Sequence, residues 1–230
     1  MNAAESRELR FLASKSSGEV SALLTHAREA RWLLVLGHGA GAGMRHRFME
    51  AAAGRLAQTG IATFRYQFPY MEKGGNRPDP RPILFATVRS AVSAAALATG
   101  DLPLLAGGKS MGGRMTSAAA AEAPLPGVRG LVFFGFPLHP AGNPSTERAE
   151  HLDRVRVPML FLQGTRDHLA DLSLLRPVCE RLGERATLQV IDGADHSFHV
   201  LKSSGRTDDE VLDELAGTMS DWSSRLPRTP

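Results

Sequence analysis

The stretch Leu102-Pro-Leu-Leu-Ala-Gly-Gly-Lys-Ser-Met-Gly-Gly-Arg-Met-Thr-Ser-Ala-Ala-Ala-Ala-Glu122 constrains this chain more than any other. Leu102 to Ala106 is a short apolar run of the kind buried on both faces of a parallel sheet. Met111 to Glu122 is Ala-rich, suited to a helix lying close on that sheet. Between them stands Gly108-Lys-Ser-Met-Gly112, a G-x-S-x-G pattern. A Ser on so sharp a strand-to-helix turn sits in strained backbone, and strand and helix meet only if the residues two before and two after it lack side chains. Gly108 and Gly112 satisfy that requirement, and Gly113 removes another side chain. The turn lifts the Ser110 hydroxyl above the sheet edge and aims the helix N-terminus, with its free N–H groups, at the same place. A phosphate-binding loop also ends in Gly-Lys-Ser, but it needs a glycine where Pro103 stands. A Gly-rich turn carrying a surface Ser without chemistry is the remaining alternative. Partner residues elsewhere in the chain decide between the two.

The same succession of strand, turn and helix recurs along the chain. Trp32 to Gly37 is an apolar run, followed by His38-Gly-Ala-Gly-Ala-Gly43 and a helical pattern from Met44 to Gln58. Ile61 to Phe64 reads as a strand, and Ile83 to Ala98 as a helix stopped by Gly100. Gly130 to Phe134, Pro158 to Gln163 and Thr187 to Ile191 read as further strands. From Asp208 a closing helix begins with acids in its first turn. Strands separated by helices require right-handed crossovers. The predicted fold class is therefore α/β, a mostly parallel central sheet with helices on both faces and ligands bound at the carboxyl ends of the strands.

Less regular segments fill the gaps. Glu19 to His26 reads as an early strand at the sheet edge, and residues 1–17 as poorly ordered. Gln67 to Arg81 reads as a long loop holding Phe68, Tyr70 and Met71 beside Lys73, Arg77 and Arg81. It either walls one side of a pocket and favours anionic substrates or is a solvated loop. Residues 136–156 are too few for a full cap domain and leave room for a short lid or flap.

At 230 residues, 43% hydrophobic and 22% charged, the chain can bury one substantial core, so a single domain over 1–230 is expected. Its 27 basic residues, mostly Arg, are scattered among 24 acidic ones for a net charge of +3. That pattern calls for no nucleic-acid partner. No apolar run approaches the roughly 18 residues of a membrane span, and Met1 to Ser17 lacks the apolar core of a signal peptide. The single Cys179, in the Leu-rich stretch from Leu172 to Leu182, excludes an internal disulfide and reads as a core or helix-flank residue. The expectation is a cytoplasmic protein with no membrane partner, its oligomeric state left open.

Two strand ends supply what Ser110 needs. The strand ending at Gln163 runs into Gly164-Thr-Arg-Asp167, and the strand ending at Ile191 into Asp192-Gly-Ala-Asp-His196. Both deliver titratable residues to the rim that carries Ser110. A serine hydroxyl is a poor nucleophile at neutral pH, so His196 would take its proton and return it to the leaving group, while Asp167 orients the imidazole. Asp192 and Asp195 are competing acids, less suited because a carboxylate adjacent to His196 in the chain reaches its far nitrogen badly. The N–H groups of Ala40, in the first Gly-rich loop, and of Met111 would form the oxyanion hole. His38, Gly39, Tyr70 and His139 are candidates to line the substrate pocket, His38 chiefly as a hydrogen-bonding residue of its own loop. His46, His151 and His168 look like surface residues. No metal or cofactor is expected: His196 and His199 lack a fitting cluster. The G-x-G-x-x-A match through Gly37, Gly39 and Ala42 is followed after the next strand by Arg65, where a ribose-binding acid would usually stand.

Taken together, His38-Gly-Ala-Gly-Ala42, Phe68-Pro-Tyr70, Gly108-Lys-Ser-Met-Gly-Gly113, Gly135-Phe-Pro-Leu-His-Pro140, Gln163-Gly-Thr-Arg-Asp167 and Gly193-Ala-Asp-His-Ser-Phe198 resemble the α/β-hydrolase superfamily. They look like a small cap-less group near the dienelactone hydrolases, which also takes in a testis-expressed protein and a regulatory subunit of a chromatin acetyltransferase complex. The resemblance implies a triad of Ser110, Asp167 and His196 and an oxyanion hole from Ala40 and Met111. Dienelactone hydrolases carry Cys where this chain has Ser110. A serine hydrolase of small esters or thioesters is the expected function, and a non-catalytic interaction module on the same fold is the rival.

Overall fold

The structure, a computed structural model, describes residues 6–227. Its eight strands are β1 (Ser6–Ser14), β2 (Gly18–Thr25), β3 (Trp32–Gly37), β4 (Ile61–Tyr66), β5 (Leu104–Lys109), β6 (Val128–Phe134), β7 (Met159–Gly164) and β8 (Ala186–Ile191). They form one sheet in the order β1-β2-β4-β3-β5-β6-β7-β8. The first two pairings, β1 with β2 and β2 with β4, are antiparallel, and the rest of the sheet is parallel. The helices are α1 (Arg47–Gln58), α2 (Pro69–Glu72), α3 (Arg81–Thr99), α4 (Met111–Glu122), α5 (Leu172–Leu182) and α6 (Asp208–Ser224). The mostly parallel sheet flanked by helices that the sequence predicts is present.

Every residue of β3, β4, β5 and β7 is buried, and β3 and β7 accordingly read as near-continuous apolar runs instead of alternating ones. Each face of the sheet has its own core. On one, Phe64, Val88, Ala91, Met115, Phe133, Phe161 and Leu175 pack beneath α3, α4 and α5. On the other, Trp32, Leu34, Met49, Val132, Leu160, Leu215 and Trp222 pack beneath α1 and α6. Helix α6 opens with a reciprocal capping box: Thr207 Oγ1 accepts from the Glu210 N–H, and Glu210 Oε2 accepts from the Thr207 N–H.

Four expectations need correction. Residues 6–14, read as poorly ordered, form β1, while residues 1–5 of that segment lie outside the described ones. The early strand is consequently one place in from the edge, between β1 and β4. The loop from Gln67 contains α2, started by Pro69 at a position where its missing N–H costs nothing. Helix α3, at 19 residues and mean hydropathy 1.4, is long and apolar enough to cross a membrane by length and composition, contrary to the reading of the sequence. It carries Arg89 at its midpoint and turns Leu84, Val88, Ala91, Val92 and Ala95 into the core. In the 136–156 segment, a 3₁₀ turn at Glu147–Arg154 lies against α4, and Phe136, Leu138, Ala149, Leu152 and Val155 are buried in the core.

Candidate active site

Ser110 occupies the junction of β5 and α4 with φ +50° and ψ −116°. A non-glycine residue with positive φ is costly and persists only where the surroundings enforce it. Here the enforcement is backbone against backbone. A Cβ on Gly112 would lie 2.3 Å from the carbonyl oxygen of Gly37, and one on Gly108 would lie 2.5 Å from the same oxygen. The end of β3 thus rests directly on the first turn of α4, and no side chain fits between them. The Ser110 N–H donates to the Phe134 carbonyl at 3.1 Å, which ties the turn to β6 as well.

The three residues separated in the sequence converge. Ser110 Oγ lies 2.8 Å from His196 Nε2, and His196 Nδ1 lies 2.7 Å from Asp167 Oδ2. Asp167 is 5% exposed, and its carboxylate is fully engaged. Oδ2 also accepts from Gln163 Nε2, and Oδ1 accepts from the Leu169 N–H at 2.8 Å. With Nδ1 donating to that carboxylate, Nε2 is left as the acceptor facing the hydroxyl. Asp195 instead caps its own turn, accepting at Oδ1 from the N–H groups of Ser197 and His199. Asp192 is exposed and reaches only Thr165 Oγ1, at 3.5 Å. Of the three acids weighed from the sequence, Asp167 alone touches His196.

Two supporting residues have no signal in the sequence. Gln163, buried in β7, donates to Asp167 and accepts from the Phe136 N–H at 3.0 Å, linking the acid to the β6 loop. Lys109, the variable residue before Ser110, donates from Nζ to the His196 carbonyl at 2.5 Å and lies over the rings of Phe48 and Phe198. Burial lowers its pKa to about 8, against the opposing pull of Asp167 and Asp195. Both residues act through a backbone or carboxylate oxygen, a role that many residue types could fill.

The loop after β3 is pinned to the segment after β4. His38 is wholly buried: Nε2 accepts from the Phe68 N–H at 3.0 Å and Nδ1 donates to the Gly39 carbonyl at 2.7 Å. Burial lowers its pKa to about 4. Both ring nitrogens are occupied, so His38 is a structural residue of the loop, as its place in the sequence suggests. Gln67 Oε1 accepts from the Met44 N–H at 2.8 Å, and the Tyr70 hydroxyl accepts from the Gly41 N–H at 3.3 Å. Gly39 lies against the turn, where a Cβ would stand 3.7 Å from Ser110 Cβ. Ala40 is exposed next to it, and Met111 supplies the first N–H of α4, one of the four that no helical carbonyl can accept.

His139 is 3% exposed, with Nε2 accepting from the Asp171 N–H at 3.1 Å. It borders a cavity of about 580 Å³ shared with Thr165, Arg166, Asp167 and His168. Arg65 is buried inside β4, donating to the Met44 carbonyl and to Thr25 Oγ1, and faces no nucleotide cleft. Among the described residues, no group of three or more His, Cys, Asp or Glu is placed to hold a metal ion.

One histidine read as surface is not. His151 Nε2 meets Ser117 Oγ at 2.7 Å, a second Ser–His contact one to two turns along α4. Ser117 is wholly buried and donates to the Arg114 carbonyl at 3.0 Å, so it receives the His151 N–H and has no proton to give the ring. No carboxylate pairs with His151 among the described residues.

Comparison with known proteins agrees with this architecture. Residues 30–224 match the family model described as an alpha/beta hydrolase domain. An α/β serine hydrolase without lid from Xanthomonas campestris is 20% identical, with a TM-score of 0.73 over 98% of this chain and 97% of that one. A dienelactone hydrolase from Anabaena variabilis is 21% identical, with a TM-score of 0.73 over 96% and 97%. The esterase domain of a Rhodothermus marinus protein is 16% identical, with a TM-score of 0.73 over 96% and 99%. At such identities the likeness speaks for the fold.

Proposed function

The chain belongs to the alpha/beta hydrolase domain family, and from that premise we propose that it is a serine hydrolase cleaving a small ester or thioester through an acyl-enzyme. The observation that carries this reading is the unbroken chain of contacts from Ser110 Oγ through His196 to Asp167. Ser110 attacks the substrate carbonyl while His196 Nε2 takes its proton, and Asp167 stabilises the imidazolium that forms. The N–H groups of Met111 and Ala40 receive the negative charge on the carbonyl oxygen, an interaction worth on the order of a hundredfold to a thousandfold in turnover per donor. His196 then protonates the departing alcohol or thiol and activates a water that releases the acid. Gln163 and Lys109 hold the acid and the base in register. The chemistry needs no cofactor, and the single buried Cys179 suits a cytoplasmic setting.

The resemblance of the motifs to a group that takes in an acetyltransferase-complex subunit leaves a rival reading, a hydrolase fold kept as an interaction scaffold. A fluorophosphonate probe separates the two. The proposed enzyme is labelled covalently, and Ser110→Ala is not labelled while keeping its melting temperature. An intact, folded protein that resists the probe and cleaves p-nitrophenyl acetate no faster than Ser110→Ala is a scaffold.

A further inference from the structure

A second cavity, of about 340 Å³, lies apart from the triad in the groove between α3, α4 and the 147–154 turn. Four arginines line it: Arg81 at the start of α3, Arg114 on α4, and Arg148 and Arg154 on the turn. Glu122, Glu147 and Glu150 border the same groove. Even so, among the described residues none of these arginines forms an ion pair, and Glu122 is engaged by Arg89 at 3.4 Å. Arg114 is the innermost, and its Nε is buried without a hydrogen-bond partner. Burial and the charges of Arg148 and Arg81 lower its pKa to about 10. Burial and the charges of Arg114, Arg154 and Arg81 lower that of His151 to about 4, which keeps the ring neutral.

Folding therefore gathers four arginines against three glutamates, an excess of positive charge that no close ion pair neutralises, and leaves the Arg114 Nε–H away from any acceptor. One ligand chemistry relieves both. An oxyanion brings negative charge and several acceptor oxygens that match the guanidinium fork. We propose that this groove is an anion site for a phosphate or carboxylate group, with Arg114 at its centre and Arg81 and Arg148 beside it. The Arg114 N–H donates to the Ser110 carbonyl at 3.1 Å, so the backbone that carries the central arginine stands one helical turn from Ser110. The anion is carried either by the molecule whose acyl group meets Ser110 or by a free ion.

Calorimetric titration of inorganic phosphate and of succinate into Ser110→Ala protein tests the site without relying on hydrolysis. Saturable binding of at least one of them is expected, weakened about tenfold or more by adding Arg114→Gln or, separately, Arg148→Gln. Arg181→Gln leaves it unchanged, since that guanidinium pairs with Asp153 at 3.2 Å and does not line the groove. Absence of saturable binding, or equal weakening by all three substitutions, overturns the proposal. Thermal melts identify a variant that fails to fold, and the other arginine substitution then carries the test. A second arm finds the source of the anion: kcat/KM for phenyl acetate is compared with that for phenyl hydrogen succinate in otherwise unmodified protein. Preference for the charged ester, lost in Arg114→Gln, assigns the anion to the substrate. Equal rates together with phosphate binding assign it to a free ion.

Discussion

Ser110 Oγ stands 2.8 Å from His196 Nε2, and Ser117 Oγ stands 2.7 Å from His151 Nε2, yet the two contacts differ in everything around them. Ser110 sits on strained backbone at the sheet rim, half-buried, with an imidazole whose far nitrogen meets a carboxylate. Ser117 is sealed inside a regular helix, its proton committed to a backbone carbonyl, and its histidine is ringed by arginines. A short Ser–His distance is thus poor evidence of a nucleophile. The orienting acid and the access of a substrate carry the distinction.

Each term of that contrast can be broken separately. Ser110→Ala should lower kcat/KM on an activated ester by on the order of 10⁶-fold or down to the background rate, whereas Ser117→Ala should change it by less than about threefold. Equal losses in steady-state kinetics would erase the difference between the pairs. Asp167→Asn keeps the shape of the site but favours the wrong histidine tautomer, and about a 10⁴-fold fall in kcat is expected with KM little changed. The smallest effect falls on the second pair. The folded-state pKa of His151 lies at about 4, below the usual 6.5, so the unfolded chain takes up the proton first. The stability this neutral ring contributes is complete above pH 6.5 and drains away as pH falls toward 4. In chemical denaturation, His151→Gln should therefore lose about 1–2 kcal/mol less than the parent between pH 7 and pH 4.5, after allowance for partial exposure. His38, shifted the same way, keeps part of the acid sensitivity in both proteins.

The sequence disclosed most where one physical demand acts alone. Strands buried on both faces are apolar nearly throughout, so β3, β5 and β7 are legible as runs, and the loops after β5, β7 and β8 carry Ser110, Asp167 and His196. The edge strand β1 was hidden because only one of its faces is covered: Phe11 and Ala13 turn inward while Arg7, Glu8 and Arg10 face solvent, a pattern shared with ordinary polar segments. The turn at Glu147–Arg154 lies within the segment read as a short lid or flap: Ala149 and Leu152 are its buried anchors, too few to mark it as core, and His151 stands among its charges. Gln163 and Lys109 escaped for another reason. Their contribution is a hydrogen bond to an oxygen that the fold brings near, and nothing in residue type or spacing announces it.

The seam where Gly37 meets Gly108 and Gly112 leaves natural variation nothing to adjust at the heart of the protein. An atom added to Gly108 or Gly112 collides with main chain, which cannot rotate aside as a side chain can, so these positions offer no gradual path toward a different reactivity. Descendants of this gene that acquire new specificities would have to rewrite the rim, at 67–81 and 135–157, and inherit the centre untouched.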